Sequence, residues 1–133
     1  MVKKIKKEVK KMSEILVFGH KSPDTDTVTS AIVMAEFEKK LGNEAKACML
    51  GKMNKETKYV FDFLKLEEPE IIEKVEDGAS IILVDHNEEK QSVENRENAN
   101  ILKVIDHHTM DFKVSHPIYY RAEPVRMHSY CPL

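Results

Sequence analysis

Ile81-Ile82-Leu83-Val84-Asp85-His86 sets four aliphatic residues directly before an aspartate and a histidine. Ile101-Leu102-Lys103-Val104-Ile105-Asp106-His107-His108 repeats the design with a second histidine. A third copy stands near the start, where Ile15-Leu16-Val17-Phe18 runs into Gly19-His20 and then Asp24 and Asp26. Such runs are strand-length, and because they are nearly continuous rather than alternating they suit strands buried on both faces of a parallel sheet. Ala45 to Leu50 is a weaker fourth strand. Between the runs lie helical patterns. Thr27 to Leu41 carries an apolar stripe of Ile32, Met34, Ala35, Phe37 and Leu41, with Gly42 placed to end it. Asn54 to Leu64 puts Tyr59, Val60, Phe63 and Leu64 on one face, and Pro69 comes soon after. Glu88 to Asn100 is polar and reads as an exposed helix or loop, and Tyr119 to Glu123 as an edge strand stopped by Pro124. Alternation of this kind predicts an α/β fold: an open, mostly parallel sheet flanked by helices and built from right-handed βαβ units.

The bulk numbers narrow the function without choosing it. A chain of 133 residues has room for one hydrophobic core, and 41% apolar with 33% charged residues describes a globular protein. No apolar run approaches the roughly 18 residues of a membrane span. A formal charge of −2 gives no global attraction for nucleic acid or an acidic membrane, so an anionic ligand must be drawn in locally. Cys48 and Cys131 stand alone, outside any C-x-x-C pair, which fits a reducing cytoplasm. The Lys-rich start, residues 1–12, reads as a solvated extension rather than a signal peptide.

In an open α/β sheet the crevice beyond the carboxyl ends of the strands binds ligand, so three strands would deliver their aspartates and histidines to one place. One aspartate or histidine at a strand end commonly caps a helix or faces water, and Asp24 or Thr25 is a natural N-cap for the next helix. Three such endings together are hard to explain structurally. Carboxylates gathered this closely repel, and divalent cations relieve the repulsion. Carboxylate oxygen mixed with imidazole, without thiolate, suits Mn²⁺, Fe²⁺, Co²⁺ or Mg²⁺ better than structural zinc. There are more candidate ligands than one ion uses, and two ions about 3.5–4 Å apart form the common arrangement for phosphoryl hydrolysis.

The stretches Gly19 to Thr27, Val84-Asp85-His86-Asn87-Glu88, Asp106-His107-His108 and Tyr119 to Val125 resemble the successive motifs of the family II inorganic pyrophosphatases, within the DHH phosphoesterase superfamily. Thr25-Asp26-Thr27 and Asp85-His86-Asn87-Glu88 favour this branch over oligonucleotide-cleaving relatives. The resemblance implies hydrolysis of pyrophosphate to two phosphates with two Mn²⁺ ions, which Co²⁺ or Mg²⁺ could replace. It implies His20 and Asp24 on one metal, Asp26 and His107 on the other, and Asp85 bridging both. It further implies His108 at the substrate, with His86 and Asp106 orienting the ligands.

The resemblance runs to Val125, giving a domain over residues 13–125 and a tail over 126–133 without family likeness. The expectation is therefore an incomplete domain that lacks a later aspartate ligand and a basic second domain. Its exposed edge would invite pairing into a homodimer. Two other readings stay open: a DHH phosphoesterase acting on short oligonucleotides or cyclic dinucleotides, and a metal-binding module without catalysis.

Overall fold

The structure, a computed structural model, describes residues 14–111. The Lys-rich extension, the strand expected over Tyr119 to Glu123 and the tail lie outside the described residues. The aliphatic runs form β1 (Ile15–Phe18), β4 (Ser80–Val84) and β5 (Asn100–Ile105), and the weaker run forms β2 (Ala45–Met49). A two-residue β3 (Glu70–Ile71), too short to carry a pattern, joins them. The strands lie in the order β3-β2-β1-β4-β5 and every pair is parallel, which is the open sheet the sequence predicts.

Continuous hydrophobicity in β4 reflects cover on both faces. Ile82 and Val84 pack with Ile15, Val17, Ala31, Met34 and Ala35 on one side. Ile81 and Leu83 pack with Phe18, Cys48, Leu50, Val75 and Val93 on the other. The chain leaves β1 toward β2 and later crosses back to β4, so the order of winding reverses between β1 and β4. Reversal opens a crevice at the carboxyl ends of those two strands, next to His20 and Asp85.

Helix α1 (Thr25–Lys40) starts where Asp24 accepts a hydrogen bond from the Thr27 amide at 2.9 Å, with Asp26 in the first turn and Lys39 and Lys40 in the last. Its beginning lies tight against the end of β1. A Cβ on Gly19 would meet Thr27 Cγ2 at 2.2 Å and the Thr27 carbonyl at 3.0 Å, so only glycine permits this approach. The buried face of α1 is Val28, Ala31, Met34 and Ala35; the expected stripe members Phe37 and Leu41 are exposed. The helix meets the sheet along a face rotated from that stripe, and one of its positions is the buried Glu38. Lys103 of β5 pairs with the Glu38 carboxylate, and Asn43 donates to it at 2.8 Å.

Helix α2 (Lys55–Leu64) is capped by Asn54 and ends at Lys65 in the left-handed region. It buries Thr57 and Phe61, whereas Tyr59, Phe63 and Leu64 of the expected apolar face are exposed. The sheet on that side ends at β3 among the described residues, and of the helix's aromatic side chains Phe61 is the one that joins a core cluster, with Val28 and Met49. Residues 88–100 are neither a helix nor wholly exposed. They form two short 3₁₀ turns, and Ser92, Val93 and Arg96 are buried beneath β4 and the loop after it. No helix among the described residues is long and apolar enough to cross a membrane.

Candidate metal centre

Asp85 is the first residue beyond β4, and its backbone sits at φ +58°, a conformation that non-glycine residues rarely adopt. Strain of this kind persists where the surroundings over-determine it, and here they do. The Asp85 amide is tied to the Ile105 carbonyl at 2.9 Å, and its buried carboxylate faces partners on both sides. Oδ2 accepts a hydrogen bond from the Thr27 hydroxyl at 2.8 Å and lies 3.4 Å from His20 Nε2. Oδ1 lies 2.9 Å from His107 Nε2. One carboxylate therefore presents each oxygen to a histidine from a different strand.

Around that carboxylate two groups of donors form. His20 Nε2 is 3.7 Å from Asp24 Oδ2, and His20, Asp24 and Asp85 bring ligand atoms within 4.8 Å of one another. Asp85, Asp106, His107 and His108 make a second such group, and Asp26 Oδ2 approaches His107 Nε2 at 4.0 Å. Oxygen and imidazole nitrogen without thiolate fit divalent ions such as Mn²⁺, Co²⁺ or Mg²⁺. The one described cysteine, Cys48, lies in the core with its thiol pushed up to about 12 by burial. His20, Asp24 and Asp85 could hold one ion, and Asp26, His107 and Asp85 a second.

The charges respond to this crowding. The hydrogen bond to Asp85 raises His20 to about 9 against the opposing effect of burial, helped by the Lys21 carbonyl and by Asp24. Burial pushes the Asp85 carboxyl up, but the contacts from His20, Thr27 and His107 outweigh it and hold the group down at about 2. A protonated His20 thus gives Asp85 the positive charge that a metal would otherwise supply. An ion held by His20 would have to displace that proton.

His108 is half exposed and reaches Asp106 Oδ1 through Nδ1 at 2.6 Å. A carboxylate can only accept, so Nδ1 carries a proton and Nε2 is left for another partner. His86 is buried and turned elsewhere. Its Nδ1 donates to the Val84 carbonyl at 2.8 Å and its Nε2 accepts from Ser92 Oγ at 3.0 Å. Burial lowers its pKa and keeps it neutral, which suits this pair of bonds. The expected ligands His20, Asp24, Asp26, Asp85 and His107 are brought together with His108 and Asp106, while His86 pins the end of β4 to the loop below. Sequence reading gave no role to the Thr27 hydroxyl, to Asn87 or to the buried Arg96. Thr27 lies a turn into α1, and only the Gly19 approach turns it toward Asp85. Arg96 gives no local signal that it is buried.

A parallel sheet whose strands end in aspartate and histidine around a shared carboxylate defines a class, and the sequence matches one: the DHH family, N-terminal domain, over residues 14–132. The chain belongs to the DHH family. Within it, the chain is 52% identical over 115 residues to a protein of Oceanobacillus iheyensis named as a probable manganese-dependent inorganic pyrophosphatase, covering 86% of this chain and 37% of the relative. It is 47% identical over 116 residues to the manganese-dependent inorganic pyrophosphatase of Bacillus subtilis, covering 86% and 38%. A crystal structure from Methanococcus jannaschii, of a protein assigned to the family II inorganic pyrophosphatases, superimposes with a TM-score of 0.73 at 41% identity. That match covers 84% of this chain and 34% of the other. The chain thus spans about a third of the length of the relatives it matches.

Proposed function

We propose that this chain carries the metal-binding centre of a hydrolase that cleaves inorganic pyrophosphate into two phosphates, with two manganese ions sharing Asp85. The observation that carries the proposal is the Asp85 carboxylate, one oxygen toward His20 and the other toward His107. The names borne by relatives about half identical to the chain support manganese and pyrophosphate over the other substrates of DHH phosphoesterases. His20 and Asp24 would hold one ion and Asp26 and His107 the other. Bound there, the ions would polarise phosphoryl oxygens and acidify a water for attack.

The remaining work falls to the protein's own groups. Thr27 keeps Asp85 Oδ2 aimed into the crevice by donating its hydroxyl proton. Asp106 anchors His108 through Nδ1 and leaves Nε2 open; with both ring nitrogens protonated, Nε2 would donate to a phosphate oxygen or pass its proton to the departing phosphate. The buried neutral His86 steadies the strand end that carries Asp85. The cytoplasm suits the buried, reduced Cys48, the small net charge favours no nucleic acid, and β5, with no strand beyond it among the described residues, is the edge through which two copies would pair.

Titration of the full chain with Mn²⁺, monitored by electron paramagnetic resonance, tests the centre. Two ions per chain are expected, with Asp85→Ala weakening both and His20→Ala weakening one. A single ion indifferent to Asp85→Ala sinks the shared-carboxylate reading. Phosphate release from pyrophosphate, compared with cleavage of short oligonucleotides and cyclic dinucleotides, tests the substrate. Preference for the nucleotides would move the chain to the other branch of its family.

A further inference from the structure

We infer that Asn87 is the positioning residue for the His107 side of the centre, a latch that sets one of the two metal positions and leaves the other alone. The inference rests on the two-ion reading above. Asn87 is 1% exposed and its amide is fully engaged. Nδ2 donates to Asp106 Oδ2 at 2.6 Å and to the Thr109 carbonyl at 3.1 Å, and Oδ1 accepts from the Asp111 amide at 2.7 Å. Two acceptors face the nitrogen and a donor faces the oxygen, so the amide has one permitted orientation. Its own backbone carbonyl is held by Arg96 Nη1 at 2.8 Å, which ties the latch to the buried turn below β4.

The other oxygen of Asp106 passes this fixation on. Oδ1 accepts from the backbone amides of His107 at 2.8 Å and His108 at 3.3 Å, and from His108 Nδ1 at 2.6 Å. One buried carboxylate thus couples Asn87 to the backbone of one histidine and to both backbone and ring of the next. β5 has a neighbour only in β4, and its end has no strand beyond it, among the described residues, to hold these groups. His20 is positioned differently, through the Lys21 carbonyl, Asp24 and Asp85. No hydrogen bond of the Asn87 latch reaches it, which is why the latch acts on one half of the centre.

Asn87→Asp is nearly isosteric and keeps the acceptor for the Asp111 amide, but sets an oxygen against Asp106 and the Thr109 carbonyl. In Mn²⁺ titrations of the full chain we expect the His107-side ion, identified as the one that His20→Ala leaves in place, to lose affinity about 10–100-fold, as outer-shell changes do, with the His20-side ion held within about twofold. Adding Asp106→Asn reverses donor and acceptor across the pair and should recover part of the loss, which a merely structural defect would not. The metal-free chain gives a second readout. Nitrogen-detected NMR of the wild type should show the His108 Nδ1 proton protected, with protection lost in Asn87→Asp and regained in the double variant. Unchanged binding, equal loss of both ions, failure of either variant to hold the first ion, or a double variant no better than the single one overturns the inference. A wild type that binds fewer than two ions sinks the two-ion reading instead, and the NMR comparison then decides the latch by itself.

Discussion

Ile81, Ile82, Leu83 and Val84 of β4 are wholly buried, whereas in β5 Leu102 is 43% exposed and the Lys103 side chain as much so. Yet the two strands run side by side and each ends in an aspartate and a histidine. β4 is held from both sides, by β1 and β5, and packs on both faces. The result is a fixed backbone: Asp85 can be kept at a strained φ and its carboxylate aimed with little freedom. Among the described residues β5 has one strand neighbour, and the residues at its carboxyl end are aimed by side-chain hydrogen bonds through Asp106 and Asn87. The two sides of the centre therefore rest on different physics, packing for the strand that carries Asp85 and polar contacts for the chain end that carries His107 and His108.

The largest effect expected from this contrast is at Leu83. Leu83→Ala removes a fully buried side chain from the cluster around Phe18 and Leu50, in a strand that cannot collapse toward either neighbour. A loss of about 2–5 kcal/mol in urea unfolding is expected. A loss below about 1 kcal/mol would mean that β4 is not the packed centre of the sheet and would remove the reason for Asp85's rigidity.

Next comes the charged contact between β5 and α1. Glu38 is buried on α1, and Lys103 and Asn43 supply its partners. Lys103→Met should cost about 1–3 kcal/mol, less than the loss of a fully buried pair because the lysine is partly in water. The pair also carries a pH signature. Its contact with Lys103, more than the opposing burial, holds the Glu38 pKa below its usual value of 4.5. As pH falls below about 4.5 the unfolded chain takes up this proton before the folded one, so the contribution is full above that point and is lost in acid. Urea midpoints measured from pH 7 to pH 3 should fall less steeply in Lys103→Met than in the wild type. Parallel curves would mean that Glu38 finds its compensation elsewhere and that β5 is held to α1 by packing alone.

The sequence carried the parts of this design that depend on composition along one segment. The aliphatic runs announced β1, β4 and β5, and the acidic and imidazole residues directly after them pointed to one crevice, because parallel strands deliver their ends together. Faces were harder. Phe37 and Leu41 share a stripe with Met34 and Ala35, yet the helix rotates to bury Glu38 instead, a choice made by a lysine 65 residues further on. The 88–100 segment looked solvated because it is polar, and nothing nearby shows that Ser92 and Arg96 are drawn under β4 by His86 and the Asn87 carbonyl. The resemblance implied that His86 orients metal ligands, and its ring does so at most through the strand end that carries Asp85. Alternation along the chain end turns it to the other side, where it finds Ser92. Neighbours in sequence told what chemistry gathers at the strand ends, while the direction of each side chain waited on partners remote from it.

The smallest effect separates the two strands most cleanly. The β4–β5 pairing passes from Ile81 opposite Ile101 to Ile82 opposite Lys103, so Leu102 has no partner across the ladder. An extra residue of this kind bends its strand locally and frees its side chain from the alternation that would place it in the core. Leu102→Ala therefore removes a largely solvated side chain, and its cost should stay within about 0.5 kcal/mol, against several at Leu83. The same urea experiment at two protein concentrations makes the comparison sharper. If Leu102→Ala costs nearly as much as Leu83→Ala, and the cost grows with protein concentration, then the edge beside Leu102 is covered in solution by a second copy. The polar latch would then sit at an interface rather than at a free edge, and packing would govern both sides of the centre. If the cost stays small at both concentrations, β5 is a strand held from one side only, and the aim of His107 and His108 rests on hydrogen bonds.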